Sequence, residues 1–197
     1  MNLPSDLSEW TQLITATLGH LISLYGKKEV SSWKFSMEQA MQVSVGNCDL
    51  DEYKQFYLAT FRAIRHMLPN AEIFGFGFDT GYVALPGNTE LEELLEFSVE
   101  HNCLPDLLSF QCFFCDYSAF VGASVDINNT SEEVYPISEN PDILSKELSQ
   151  IQALLDRMHL SIPLAITVSS PGMWGRAPGN DTCFVAASIV KNALENR

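Results

Sequence analysis

Four kinds of residue in this chain could carry chemistry: histidines, a cysteine pair, a glycine cluster and the polar residues of a few loops. His20, His66, His101 and His159 stand far apart. Each falls on a helical pattern or at its end, the placement of surface or satisfied core histidines rather than of a general base. No Ser-His-Asp order and no Gly-x-Ser-x-Gly is present, so triad hydrolysis is not expected. Cys112 and Cys115 form a Cys-x-x-Cys inside an apolar run, with no second pair and no nearby His. They read as buried strand and loop cysteines, not as a redox or metal pair. Gly75, Gly77 and Gly81 spell G-x-G-x-x-x-G, one residue too long for the dinucleotide fingerprint and with no helix opening at the third glycine. No cofactor and no metal follow from these groups. The run Glu90, Glu92, Glu93, Glu96 and Glu100 reads as a solvated helix face.

The elements that must position the remaining polar groups alternate regularly. A helix is expected from Asp6 to Leu24, with Leu7, Trp10, Leu13, Ile14, Leu18, Leu21 and Ile22 on one stripe and Gly26 as its stop. Val30 to Met37 reads as a short strand. Asp49 and Glu52 have the spacing of a capping box for a helix Leu50–Leu68, which Pro69 and Asn70 end. Glu72 to Phe78 is a second strand. Thr89 and Glu92 repeat the capping-box spacing for a helix to about His101. Leu107 to Phe114 is a near-continuous apolar run, as in a strand buried on both faces. Asn140 with Pro141 opens a helix to about Met158. Pro163 to Ser169 is a fourth strand, and Asn180 caps a last helix through Asn196.

A helix followed by four strand–helix units is an α/β pattern with parallel strands and right-handed crossovers. An open doubly wound sheet and part of a (β/α)8 barrel both fit. A complete barrel needs about 250 residues and eight units, so this chain would be a piece of one. In either architecture the site lies after the C-terminal ends of the strands. Those loops are Glu38–Asn47, Asp79–Asn88, Cys115–Glu139 and Ser170–Gly179. They offer Glu38, Gln39, Ser44 and Asn47, then Asp116, Tyr117 and Asp126, then Trp174 and Arg176. Trp174, in a Gly/Pro-rich loop, suits either a sugar-stacking platform or a loop anchor. The mouth is poor in catalytic groups.

With 197 residues the chain is expected to form one domain, 1–197. Its 46% hydrophobic content can bury a core, which excludes disorder along the whole chain. Eleven basic against 25 acidic residues give a formal net charge of −14, a surface that repels phosphate backbones and anionic lipid. Direct nucleic-acid binding by this chain and membrane attachment are therefore not expected. No apolar run approaches the roughly 18 residues of a membrane span, and the N-terminus lacks the parts of a signal peptide. The odd count of five cysteines fits reduced thiols in a cytoplasm. The Asn-x-Thr at Asn128 and Asn180 has no meaning without secretion.

Several segments together resemble one family. Leu18-Gly-His20 through Tyr25-Gly26, then Glu29-Val30 and Trp33-Lys-Phe35, are similar to the helix and strand leading to the Asn-Glu-Pro of glycoside hydrolase family 39, the β-xylosidase-type barrels. Tyr53 through Arg62-Ala63-Ile64 to Pro69-Asn70 is similar to the helix after it. Phe97, His101-Asn102, Leu104-Pro105-Asp106 and Ser109-Phe110 resemble the next helix–strand junction. Asn180 to Cys183, Ala186-Ala187 and Ile189 to Asn192 resemble the helix that follows the nucleophile strand. The resemblance is closest to the copies of this domain found in AraC-type bacterial transcription regulators.

Members of the family retain configuration with two glutamates about 5 Å apart, one acid/base and one nucleophile. Laid on the family's Trp-x-Phe-Glu-x-Trp-Asn-Glu-Pro from Trp33, this sequence has Ala40 at the acid/base position. Counting back from Asn180 to the family's Ile-Thr-Glu-Trp-Asn puts Val168 at the nucleophile position. Neither side chain can donate a proton or form a glycosyl ester. The His usual after Ser-Phe is Gln111, and Arg176 is kept. Glu38, two residues before Ala40 on the same strand face, is the one carboxylate that could substitute as the acid.

The resemblance thus implies a partial TIM (β/α)8-type barrel, from the third barrel helix to the seventh, without the first three strands, the last strand and the regulator's helix-turn-helix. It implies a non-catalytic sensory or regulatory domain with Gln39, Gln111, Trp174 and Arg176 as candidate contacts to a sugar or oligosaccharide. DNA would be met only through the helix-turn-helix outside this chain. Exposed edge strands and barrel lining predict a homodimer, which a monomer in sedimentation at micromolar concentration would contradict. The alternatives are a β-xylosidase-type fragment with shifted catalytic groups and a purely structural module.

Overall fold

Asp6 opens the chain's first regular element: its carboxylate accepts from the backbone of Ser8 at 2.7 Å and Glu9 at 3.1 Å, satisfying amides that have no partner inside a helix. In the computed structural model, which describes residues 3–38, 49–114, 138, 140–170 and 183–195, this begins α1 (Leu7–Tyr25). Gly26, at φ 85°, ends it in a conformation that costs a residue with a Cβ. The order continues α2 (Lys27–Val30), β1 (Lys34–Glu38), α3 (Leu50–Met67), β2 (Glu72–Asp79), α4 (Thr80–Val83), α5 (Glu90–Glu100), β3 (Leu107–Phe113), α6 (Ile143–Arg157), β4 (Leu164–Ser170) and α7 (Cys183–Glu195). The four strands lie in one sheet in the order β1-β2-β3-β4. β1 and β2 are parallel, with Lys34 opposite Glu72 and Glu38 opposite Phe76.

The chain divides into two compact units, one from Met1–Phe78, Thr89–Ser109 and Ile162–Ala165, the other from Asp79–Asn88, Phe110–Ser161 and Ile166–Arg197. The core of the first is aromatic and aliphatic in layers. Tyr57 and Phe61 of α3, Ile73 and Phe76 of β2, and Leu91, Leu94 and Leu95 of α5 are all buried. The polar tips of the buried rings find partners, as burial requires. Tyr57 donates to the carbonyl of Cys103 at 2.8 Å and Tyr53 to that of Met37 at 3.3 Å. Burial also pushes the Tyr57 phenol well above its ordinary pKa, so it stays a donor. Trp10 lays α1 on α3: its ring is 5.4 Å from Phe56 and its Nε1 donates to Thr60 at 2.8 Å. At the N-terminal end of the sheet, Asp106 accepts from Arg65 at 2.6 Å and from the Ile73 backbone at 2.7 Å.

In the second unit Cys112, Phe114 and Leu144 form a buried cluster against which Ile143, Leu148 and Ile166 pack. Lys191 of α7 reaches Asp142 at 2.7 Å, just before α6.

The helix and strand pattern follows the sequence closely, with local corrections. Asp49 and Glu52 do form the capping box of α3. Val30, expected in a strand, closes the helical turn α2 instead, because Ser31 N–H bonds back to Lys27 O; the strand starts at Lys34. Thr89 makes no cap: its hydroxyl donates to the Glu93 carboxylate at 2.8 Å. Asn140 does not cap α6 either. Its side chain accepts from Asp142 N–H at 3.0 Å, a local turn that delays the helix to Ile143. Glu90, Glu92 and Glu93 are half-buried, and only Glu96 and Glu100 of that run are exposed. Asn180 lies outside the described residues.

Candidate functional site

The strand ends decide what the site can contain. β1 stops at Glu38, and the positions of Gln39 and Ala40 that follow it lie outside the described residues, as do Trp174 and Arg176. Gln111 is described: it sits on β3, half-buried, between the buried Phe110 and Cys112. Val168 lies on β4, two residues before the strand's end, and is 38% exposed. Thr167 and Ser169 on either side are exposed as well, and the Thr167 hydroxyl donates to Phe110 O at 3.2 Å. Val168 is the position that the resemblance aligns with the family's nucleophile, and a valine has no group that could form a glycosyl ester.

What this segment can do is hydrogen-bond. Gln111 brings a donor and an acceptor, and β4 brings the hydroxyls of the exposed residues Thr167 and Ser169, the Thr167 proton being already given to Phe110 O. No carboxylate stands anywhere on β4, Leu164–Ser170. Among the described residues no group of three His, Cys, Asp or Glu side chains converges to hold a metal ion. Cys103 and Cys112 are buried. The histidines have structural places: His101 stacks on Phe97 with centroids 4.1 Å apart, and His159 adopts φ 56° just past α6. His20 and His66 are exposed.

One polar cluster escaped the sequence reading. Asp79 ends β2, and its carboxylate accepts from Gly81 N–H at 2.9 Å and Tyr82 N–H at 3.1 Å, which builds the short turn α4. Thr80 then donates its hydroxyl to Glu147 of α6 at 2.7 Å. Asp79, Thr80 and Glu147 are all buried. Desolvation, with the Asp79 charge adding to it, pushes Glu147 up to about 7, against the opposing pull of the Thr80 hydrogen bond and Lys146. The signal was legible: Leu144, Glu147, Ile151 and Leu155 share the buried stripe of α6, and one of the four is a carboxylate.

Three comparisons bear on this arrangement. The profile of the Glycosyl hydrolases family 39 matches residues 1–197. A β-xylosidase of Geobacillus stearothermophilus is 24% identical over 195 residues, 95% of this chain and 36% of that protein. The crystal structure of a monomeric β-xylosidase from Caulobacter crescentus CB15 superposes with a TM-score of 0.65 at 21% identity, covering 87% of this chain and 32% of that one. A glucosidase from Croceicoccus marinus gives 0.59 at 16% identity, covering 88% and 32%. The chain therefore spans roughly a third of the length of these relatives. Four parallel strands with their helices, in the fold of those enzymes, make it a partial (β/α) barrel. Matched by the family profile from its first residue to its last, the chain belongs to glycoside hydrolase family 39.

Proposed function

We propose that this chain is a glycosidase-derived domain that binds a sugar without hydrolysing it, as the sensory part of a cytoplasmic AraC-type regulator. The observation that carries the reading is the solvent-exposed Val168 on a strand without a carboxylate. Ala40 at the other position supports it from the sequence. Gln111, with Gln39, Trp174 and Arg176 from the loops, supplies the ligand contacts. The regulator setting rests on the sequence resemblance, and the net charge of −14 agrees with DNA being met elsewhere than on this chain. A homodimer belongs to the same reading; the exposed Leu13, Leu24 and Tyr25 of α1 and Ile189, Val190 and Leu194 of α7 favour it.

A second reading, a β-xylosidase-type hydrolase, is favoured by the names of the relatives and by Glu38 at the end of β1. An aryl β-xyloside assay separates the two. The proposal expects no release of the aryl alcohol above buffer. Release that disappears in Glu38→Gln would establish a shifted acid and overturn it.

A further inference from the structure

The carboxylate of Glu147 is buried and is joined to a segment at the end of a strand. Residues 79–88 are internally bonded. Asp79 caps Gly81 and Tyr82, Ala84 N–H bonds to Thr80 O, Leu85 N–H to Tyr82 O, and Asn88 donates both from its backbone to Leu85 O and from its side chain to Tyr82 O. Such a segment moves as one piece. Its hydroxyl at Thr80 links it to α6 through Glu147. The charged groups that act on Glu147 are Asp79 at the start of α4 and Lys146 beside it on α6.

We propose that Asp79, Thr80 and Glu147 form a proton-operated latch that holds the 79–88 segment on α6 while Glu147 is neutral and releases it when Glu147 ionises. A neutral carboxyl tolerates burial next to the Asp79 carboxylate and still accepts from Thr80. An ionised one places a second negative charge in the same dry cluster, and hydrating it requires α4 to separate from α6. The proton goes to solvent, and the transition falls near neutrality because Glu147 titrates at about 7. The segment follows the C-terminal end of β2, where barrel proteins carry their binding loops, so the latch would couple a loop at that end to pH.

Hydrogen exchange of the whole chain tests this, with rates corrected for the intrinsic effect of pH. Protection of residues 80–88 is expected to fall on the order of tenfold or more between about pH 6 and pH 8, while α5 changes little. In Glu147→Gln the fall should vanish. A flat profile in the unaltered chain, or an undiminished fall in Glu147→Gln, would overturn the latch. If that variant does not fold, carboxyl NMR of Glu147 in the unaltered chain decides: a midpoint in the ordinary carboxylate range contradicts the proposal, and one near neutrality supports it.

Discussion

Truncating Phe76 to alanine is expected to destabilise the chain by about 3–5 kcal/mol. The ring is 1% exposed and meets Tyr57 edge-on at 4.9 Å and Phe78 at 6.3 Å. It lies on β2, buried from Gly75 to Asp79, so no neighbour is free to collapse into the space. The loss therefore includes both the transfer of the ring and the cavity it leaves. For a chain of this size each kcal/mol lowers the Tm by about 2–4 °C, so calorimetry should read a fall of roughly 6–20 °C. Phe76→Leu, which keeps much of the volume, should lose far less. A Phe76→Ala loss below about 1 kcal/mol would mean that β2 is not the centre of this core.

The second large effect is a dependence of stability on pH. The folded Glu147 titrates at about 7, raised by burial and by Asp79. Unfolded, it returns to about 4.3. Between those values the native state holds a proton that the unfolded state has released, so stability falls as pH rises. The stability is fully present below the unfolded value and is lost as pH passes the folded one. The difference amounts to about 4 kcal/mol. Urea unfolding of the unaltered chain and of Glu147→Gln, at about pH 5 and pH 8, isolates the term. The variant should gain relative to the unaltered chain on going to the higher pH. If the two run parallel, Glu147 is already ionised in the native state.

Long periodic segments and strong caps were legible in the sequence. The stripe of α1, the Asp49–Glu52 box and the apolar run of β3 depend on interactions within a few residues, and the structure keeps them. The misses share a cause, since short elements are settled by single competing hydrogen bonds. The bond from Ser31 to Lys27 turns Val30 into a helical residue, and that from Asp142 to Asn140 shifts the start of α6 by two residues. The four-residue α4 has no periodicity to read and exists because Asp79 caps it. Its partner Glu147 stands more than sixty residues away, and neither pattern nor spacing joins the two. The site was legible as chemistry rather than as geometry. That Val168 has no acidic group is plain in the sequence, but its exposure is a property of the folded strand.

Family membership, with Ala40 and Val168 at the positions that the resemblance assigns to the catalytic pair, leads to the proposal of a glycosidase fold that recognises sugar and leaves it intact. A barrel keeps its strand–helix units through packing at the core, as Tyr57, Phe76 and Leu95 do here, whereas its chemistry rests on a few groups at the strand ends. The most direct measurement is calorimetric titration of the chain with xylo-oligosaccharides, followed by analysis of the recovered sugar. Saturable binding is expected, lost in Gln111→Ala or Trp174→Ala, with the oligosaccharide recovered at its original length. Heats no larger than dilution, or a sugar recovered in shorter pieces, would contradict the proposal.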